Sequence, residues 1–175
     1  MERTKSGVVV FPLQKLMVLS LLVALSIVIK RFLGFNVAFL SVSLGFLPIA
    51  TAGMLFGPAG GTLAAVTADV VGALLFPFGV FNLGFTVSAA LSGLCYGYFM
   101  HKPAPSKRQI MLCQLLISLF LHLLLNTVLV IPYLKSGFWG SLPLRIVKNV
   151  LMYPIEVMLL GLLQRYRPRF ERLLK

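Results

Sequence analysis

Charge is scarce in this chain. Only 11% of its 175 residues are Asp, Glu, Lys or Arg, against about 25% in a soluble domain, and a water-facing surface cannot be made from so few. Acid is scarcer still, with four Asp and Glu against 16 Lys and Arg. Cys95 and Cys113 are the only cysteines; they sit in separate apolar runs with no second Cys or His at metal spacing, which favours buried inert thiols over a disulfide or a metal site. The glycine-rich stretch Gly53-Met-Leu-Phe-Gly57-Pro58-Ala-Gly60-Gly61 lacks the Lys-Ser/Thr ending of a phosphate loop and reads as a tight helix hairpin. The chain therefore has no ATPase motif of its own. His122, Asp69 and Glu156 are the acid-base groups a small membrane enzyme would use, but no nucleophile-base spacing or metal motif accompanies them, so no catalytic residue is assigned.

What the chain has instead is apolar length. Hydrophobic residues make up 59% of it, and several runs reach the roughly 20 residues needed to cross a bilayer core as a helix that satisfies its own backbone. The expected spans are Pro12 to Phe32, Ser41 to Phe56, Gly60 to Phe76, Leu83 to Met100, Ile110 to Ile131 and Leu144 to Gln164. The breaks carry turn chemistry: Gly34 with Asn36, Gly57-Pro58, Pro77 with Gly79, Pro103 with Pro105, and Pro132 through Pro143. The first run is too long for a signal peptide's apolar part and no small-residue cleavage site follows it, so it is expected in the mature protein. The expected fold class is an all-α integral membrane protein, a bundle of six transmembrane helices forming a single domain over residues 1–175.

A net charge of +12 would point to nucleic acid in a soluble protein, but at helix ends the same cations fix orientation and meet anionic lipid. Arg3, Lys5 and Lys15, then Lys102, Lys107 and Arg108, then Arg165, Arg167, Arg169, Arg172 and Lys175 fall on one side of a six-span topology. That is eleven of the 16 basic residues, which makes this side cytoplasmic and puts both termini inside. Lys30, Arg31, Lys135, Arg145 and Lys148 lie at or near outward helix ends, where orientation alone would place none. Aromatics gather there too: Phe32, Phe35 and Phe39; Phe76, Phe78, Phe81 and Phe85; Tyr133, Phe138 and Trp139. An interfacial belt accounts for some of them, and aromatics beside surplus cations also suit a flat anionic ligand.

In the last span Arg145, Lys148, Asn149, Met152 and Glu156 share one stripe at helical period, which keeps their polar groups off lipid. For Glu156 a structural ion pair is as good a reading as a ligand contact; Arg145 and Lys148, nearer the outer end, read as ligand contacts. Asp69, within the third span, either accepts two donors from an aminopyrimidine edge or forms an internal salt bridge. His122 and Asn126, four apart, read first as interhelical hydrogen-bonding groups. Ser20 and Ala24 form a small-xxx-small pair that either packs within the bundle or docks on another membrane subunit.

Nearly the whole chain resembles the folate-specific S components, the substrate-binding subunits of energy-coupling factor vitamin transporters. The likeness lies in Gly45-Phe-Leu-Pro-Ile-Ala50, Ala52-Gly-Met-Leu-Phe-Gly-Pro58, Ala68-Asp-Val-Val-Gly72, Leu74-Leu-Phe-Pro77, Gly84-Phe-Thr-Val-Ser-Ala89 and Arg145-Ile-Val-Lys-Asn-Val-Leu-Met-Tyr-Pro-Ile-Glu156. Ser20 stands where the family usually has alanine, and Asn82-Leu83 replaces an aromatic-proline pair. The resemblance implies a bacterial cell-membrane protein that is not an enzyme and has no cofactor of its own. It would capture folate on the outer side and work with a transmembrane coupling subunit and two ATPase subunits that use ATP. Arg145 and Lys148 would then serve the glutamate tail or its neighbourhood, Asn149 would contact the ligand as well, Asp69 or Asn126 would give polar recognition, and Phe78, Phe85, Tyr133 and Trp139 ring stacking. Ser20 and Ala24 would dock on the coupling subunit. An S component for another water-soluble vitamin is the alternative.

Overall fold

The computed structural model describes residues 2–3, 9–10, 13–32, 34–37, 40–76, 82–102, 105–130 and 137–172. Its helices are α1 (Leu13–Phe32), α2 (Phe46–Leu75), α3 (Leu83–Met100), α4 (Lys107–Leu116), a π-helical run (Ile117–Leu125), α5 (Asn126–Val130) and α6 (Gly137–Arg172). Among the described residues, five helical stretches are long and apolar enough to cross a membrane: Leu13–Phe32, Phe46–Leu75, Leu83–Met100, Lys107–Leu129 and Arg145–Phe170. Among the described residues, two short antiparallel strand pairs, β1 (Glu2–Arg3) with β2 (Val9–Val10) and β3 (Phe35–Val37) with β4 (Leu40–Val42), modify the all-α expectation at its edges. In β3 and β4, Phe35 pairs with Val42 and Val37 with Leu40. The expected span from Ser41 thus begins as a strand, because a short apolar run does not by itself distinguish strand from helix.

The second and third expected spans form one element, α2, broken at Gly57 (φ 77°, ψ −168°). Glycine holds that conformation without a side-chain clash, and Pro58 after it brings no N–H to continue the helical ladder. The arms on either side fold back on each other: a Cβ added to Gly61 would lie 2.9 Å from the Cα of Gly53. The arm 46–56 rises only about 16 Å at 1.5 Å per residue, about half a bilayer core.

Small residues make α2 the packing centre. Ala50, Ala52, Ala64 and Ala65 are buried, and the backbone of α3 approaches so closely that a Cβ on Gly93 would sit 2.3 Å from Gly61 O, the close approach that small residues permit between membrane helices. Around this seam Met54, Tyr96, Met100, Ile117 and Leu160 form the main core. Cys113 lies in it, Cys95 is half-buried, and both are free thiols.

α6 has 36 residues, about 54 Å of helix, and exceeds the expected Leu144 to Gln164 at both ends. Its basic C-terminal part lacks the hydropathy by which a span is recognised, yet it continues the helix while Arg165, Tyr166 and Arg169 face outward and Arg167 is buried. For orientation, the apical end of the bundle is the one that holds the end of α1 and the start of α3; the basal end holds the end of α3 and the start of α4.

The apical polar cluster

α1 ends in Lys30 and Arg31, a sign of charge that suits a helix C-terminus. Lys30 Nζ lies 3.2 Å from Asp69 Oδ1 on α2, and Thr86 Oγ1 of α3 donates to Asp69 Oδ2 at 3.0 Å. The salt-bridge reading of Asp69 is therefore the one the side chains adopt, and its carboxylate ties α1, α2 and α3 together. Beside it the Arg31 guanidinium stands over Gly72, where an added Cβ would meet Nε at 3.6 Å. Phe32 and Phe76 meet edge to face, with ring centroids 5.3 Å apart.

Asn82, the departure from the family pattern, caps α3 by accepting from Gly84 N at 2.9 Å, so the position starts a helix. A Cβ on Gly84 would strike Leu129 Cδ2 at 2.3 Å, which seats the start of α3 against α5. Asn126 Nδ2 lies 3.4 Å from His122 Nδ1. The pair sits within one continuous helical stretch, so the expected interhelical bond is corrected to a local one, made where the π-helical run passes into α5. His122 is within electrostatic reach of both Lys30 and Lys148, so α1, the π-helical run and α6 present their polar groups to a common region.

The stripe on α6 faces inward as its period requires. Arg145 is buried, and Lys148, Asn149, Met152 and Glu156 are half-buried, while Val147, Val150, Leu151 and Met158 are more than half exposed. Glu156 accepts a 2.5 Å hydrogen bond from Gln114 Nε2, and Gln114 Oε1 accepts from Tyr96 OH at 3.1 Å. This chain links α3, α4 and α6 between the two ends. Asp69, His122 and Glu156 thus have separate partners and do not converge as an acid-base set; among the described residues no group of His, Cys, Asp and Glu could hold a metal.

Phe85 is half-buried near the start of α3. Phe78 and Tyr133 lie outside the described residues, as does the side chain of Trp139. Sequence reasoning counted Lys30 as a surplus cation without seeing its partnership with Asp69, and passed over Thr86, Gln114 and Tyr96; the Thr within Gly84-Phe-Thr-Val-Ser-Ala89 was the available signal for Thr86. Ser20 and Ala24 are both exposed, and Ser20 Oγ is satisfied by Met17 O at 2.9 Å. They line an apolar groove of about 470 Å³ with Leu63, Thr67 and Val71 of α2.

An apolar bundle with a cation-rich polar cluster at one end defines a membrane-embedded binding subunit. Residues 14–166 match the family described as ECF transporter, substrate-specific component, and the chain belongs to that family. Among its relatives, the folate transporter FolT of Clostridium novyi (strain NT) is 30% identical over 142 residues, covering 81% of this chain and 83% of that protein. The folate transporter FolT of Leuconostoc mesenteroides is 33% identical over 152 residues, covering 82% and 80%. A crystal structure of FolT bound with folic acid superposes with a TM-score of 0.81 at 31% identity, covering 87% of this chain and 95% of that one. The S component of a bacterial ECF transporter shares the fold, with a TM-score of 0.58 at 19% identity, over 87% of this chain and 96% of that one.

Proposed function

We propose that this chain is the folate-binding membrane subunit of an ATP-driven vitamin importer, capturing folate at its apical end. The observation that carries this reading is a cation-rich apical end, where Lys30 and Arg31 of α1 meet Asp69 and Arg145 and Lys148 stand on the inward stripe of α6, in a chain similar along most of its length to folate transporters. Folate joins a flat pterin through an aromatic middle to a glutamate tail with two carboxylates, so surplus cations and aromatics complement it. Arg145 and Lys148, with Asn149, serve the tail; Phe85, with Phe78, Tyr133 and Trp139, stacks on the rings; Asn126 supplies polar recognition, and Asp69 contributes to it while held by Lys30 and Thr86.

With the two arms of α2 counted separately, the chain has six membrane segments. The basic residues of its basal end then face the cytoplasm of a bacterial cell with both termini, and the apical end faces outward. The whole of residues 1–175 acts as one binding domain. The exposed Ser20 and Ala24 form the seat for a transmembrane coupling subunit, and two ATPase subunits joined to it supply the ATP-driven step. Support for docking over internal packing comes from the outward position of both side chains on α1.

Calorimetry on the detergent-purified chain should show saturable folate binding without ATP, and mass spectrometry should find folate retained after purification. Binding of a different vitamin with no detectable binding of folate would reject the substrate while leaving the family assignment intact.

A further inference from the structure

The basal end of α6 carries arginines of two kinds. Arg167 is buried and holds the carbonyls of Met100, His101 and Lys102, whereas Arg165 and Arg169 are exposed. Each stands two residues from Arg167, at about 100° per residue, so both fall on the side of the helix away from the bundle, and being four apart they share one face. Arg169 is held in place there: its Cζ lies 5.1 Å from the ring centroid of Tyr166, a cation–π contact at an exposed ring. Among the described residues neither arginine is paired with a carboxylate. Glu171, the one acid of this segment, is four residues from Arg167 and so belongs to the opposite side of the helix.

Toward the apical end the same face turns apolar. Val147, Leu151, Ile155, Met158 and Leu162 follow one another at spacings of three and four, and all are between 46% and 76% exposed. From Val147 to Leu162 the stripe runs about 22 Å, longer than the roughly 15 Å that the chains of one bilayer leaflet fill. α4, tied to α6 through Gln114 and Glu156, repeats the order: exposed Arg108 at its basal start, then Leu112 and Leu115, also exposed. A soluble anion would match the arginines alone, and an apolar partner helix would match the stripe alone. An amphiphile with a phosphate at the head of its acyl chains matches both, in their order along the helix. The groove beside Ser20 and Ala24 is lined by α1 and α2, so a subunit seated there leaves this face of α6 uncovered.

We infer that Arg165 and Arg169, the second steadied by Tyr166, bind the headgroup phosphate of an anionic phospholipid in the leaflet at the basal end, with its chains lying along the apolar stripe of α6. Guanidinium forks match phosphate oxygens in pairs where an ammonium offers only a point charge, and a tyrosine beside them suits the headgroup level. Basic helix ends attract anionic lipid in general. This site differs in depending on two positions and on the stripe above them rather than on the total charge of the basal end, and it holds whatever vitamin the apical end takes.

The test is native mass spectrometry of the full-length detergent-purified chain, titrated with phosphatidylglycerol or with phosphatidylcholine of the same acyl chains, with melting temperatures measured alongside. Phosphatidylglycerol should bind about tenfold more tightly and raise the melting temperature. Arg165→Gln/Arg169→Gln should bring it down to the level of phosphatidylcholine, a loss of about tenfold, which two basic residues at an anionic surface can supply, while folate binding stays unchanged. Lys15→Gln/Lys102→Gln removes the same charge elsewhere at the basal end and should change phosphatidylglycerol binding by less than about twofold. Should the double arginine variant not fold, Tyr166→Leu, which frees Arg169, should still weaken phosphatidylglycerol by about threefold. Equal weakening by the arginine and lysine pairs would reduce the site to diffuse surface charge and overturn it. A melting-temperature rise with inorganic phosphate alone would make it a site for a free anion. Undiminished phosphatidylglycerol binding in the arginine variant, with co-purification of the coupling subunit lost, would give the face to a protein partner.

Discussion

The two ends of the bundle treat their polar groups in opposite ways. At the basal end Arg167 reaches the carbonyls of Met100 at 3.2 Å, His101 at 3.0 Å and Lys102, satisfying the acceptors that the end of α3 leaves open. His101 Nδ1 lies 3.0 Å from Met54 O, close to the break in α2, and Ser106 with Gln109 forms a capping box at the start of α4. Among the described residues Gln164 Oε1 is the exception there. At the apical end cations crowd one carboxylate, and Asn126 and Thr127 have acceptors without donors. On the reading proposed above, the chain builds its frame where it satisfies its own groups and would receive its ligand where it does not. Basal substitutions should therefore cost stability, and apical ones affinity.

The flank of α1 belongs to neither end and should show the largest effect. Replacing both Ser20 and Ala24 with Leu is expected to abolish ATP-driven uptake in vesicles and co-purification with the coupling subunit, while folate affinity and melting temperature stay unchanged. Larger side chains would hold the helix away from its partner, since residues four apart share a face and small ones permit close backbone approach. Intact uptake defeats the docking proposal; folding yield and affinity falling together would favour packing within the bundle.

At the basal end Arg167→Ala removes a buried guanidinium that serves several carbonyls at once. The loss should be about 3 kcal/mol, toward the upper part of the range for hydrogen bonds to a charged group, read as a lower melting temperature in detergent. Folate affinity measured well below that temperature should not move. A variant that keeps its stability but loses affinity would break the division between the ends.

How much of this was legible from the residues depends on what each feature rests on. The inward stripe of α6 was legible because Arg145, Lys148, Asn149, Met152 and Glu156 obey a period, and lipid excludes such groups. Asp69 was legible as a carboxylate needing a partner, since so few acids are present. The partner itself was not, because Lys30 lies on a helix distant in sequence. The break at Gly57-Pro58 was visible as a turn, and the fold-back of the arms followed; the shortness of the first arm did not, since β4 takes the beginning of its apolar run. Nor did periodicity separate the π-helical run from an α-helix. Arg167 was counted as one more cytoplasmic charge, because counting charges cannot tell an arginine facing water from one capping a buried helix end.

At the apical end Arg145→Ala and Lys148→Ala should each weaken folate by roughly 1.5 to 3 kcal/mol, as expected for a lost charge-assisted contact, and weaken pteroate much less. Calorimetry with the two ligands provides the measurement. Equal weakening of both would mean that these residues support the helix and do not read the tail, which would erase the distinction between the ends at its best-defined point.

The smallest effect is expected at the Lys30–Asp69 bridge, where the partners differ in burial: the Lys30 side chain is 46% exposed and that of Asp69 13%. A half-exposed ammonium is partly solvated whether or not it is paired, so the bridge itself should contribute no more than about 1 kcal/mol. Lys30→Met nevertheless removes the direct ion-pair partner of a poorly exposed carboxylate, leaving Thr86 and the charge of Arg31 nearby, and a buried charge that loses its partner costs more than a missing pair. The single variant should therefore be slightly less stable than Lys30→Met/Asp69→Asn, in which no charge is left over. Thermal melts of the two single variants and the double variant give the coupling directly. Folate titrations on the same proteins separate the two roles of Asp69: affinity preserved in the double variant makes it a tie between helices alone, and affinity lost with stability intact makes it a ligand contact as well.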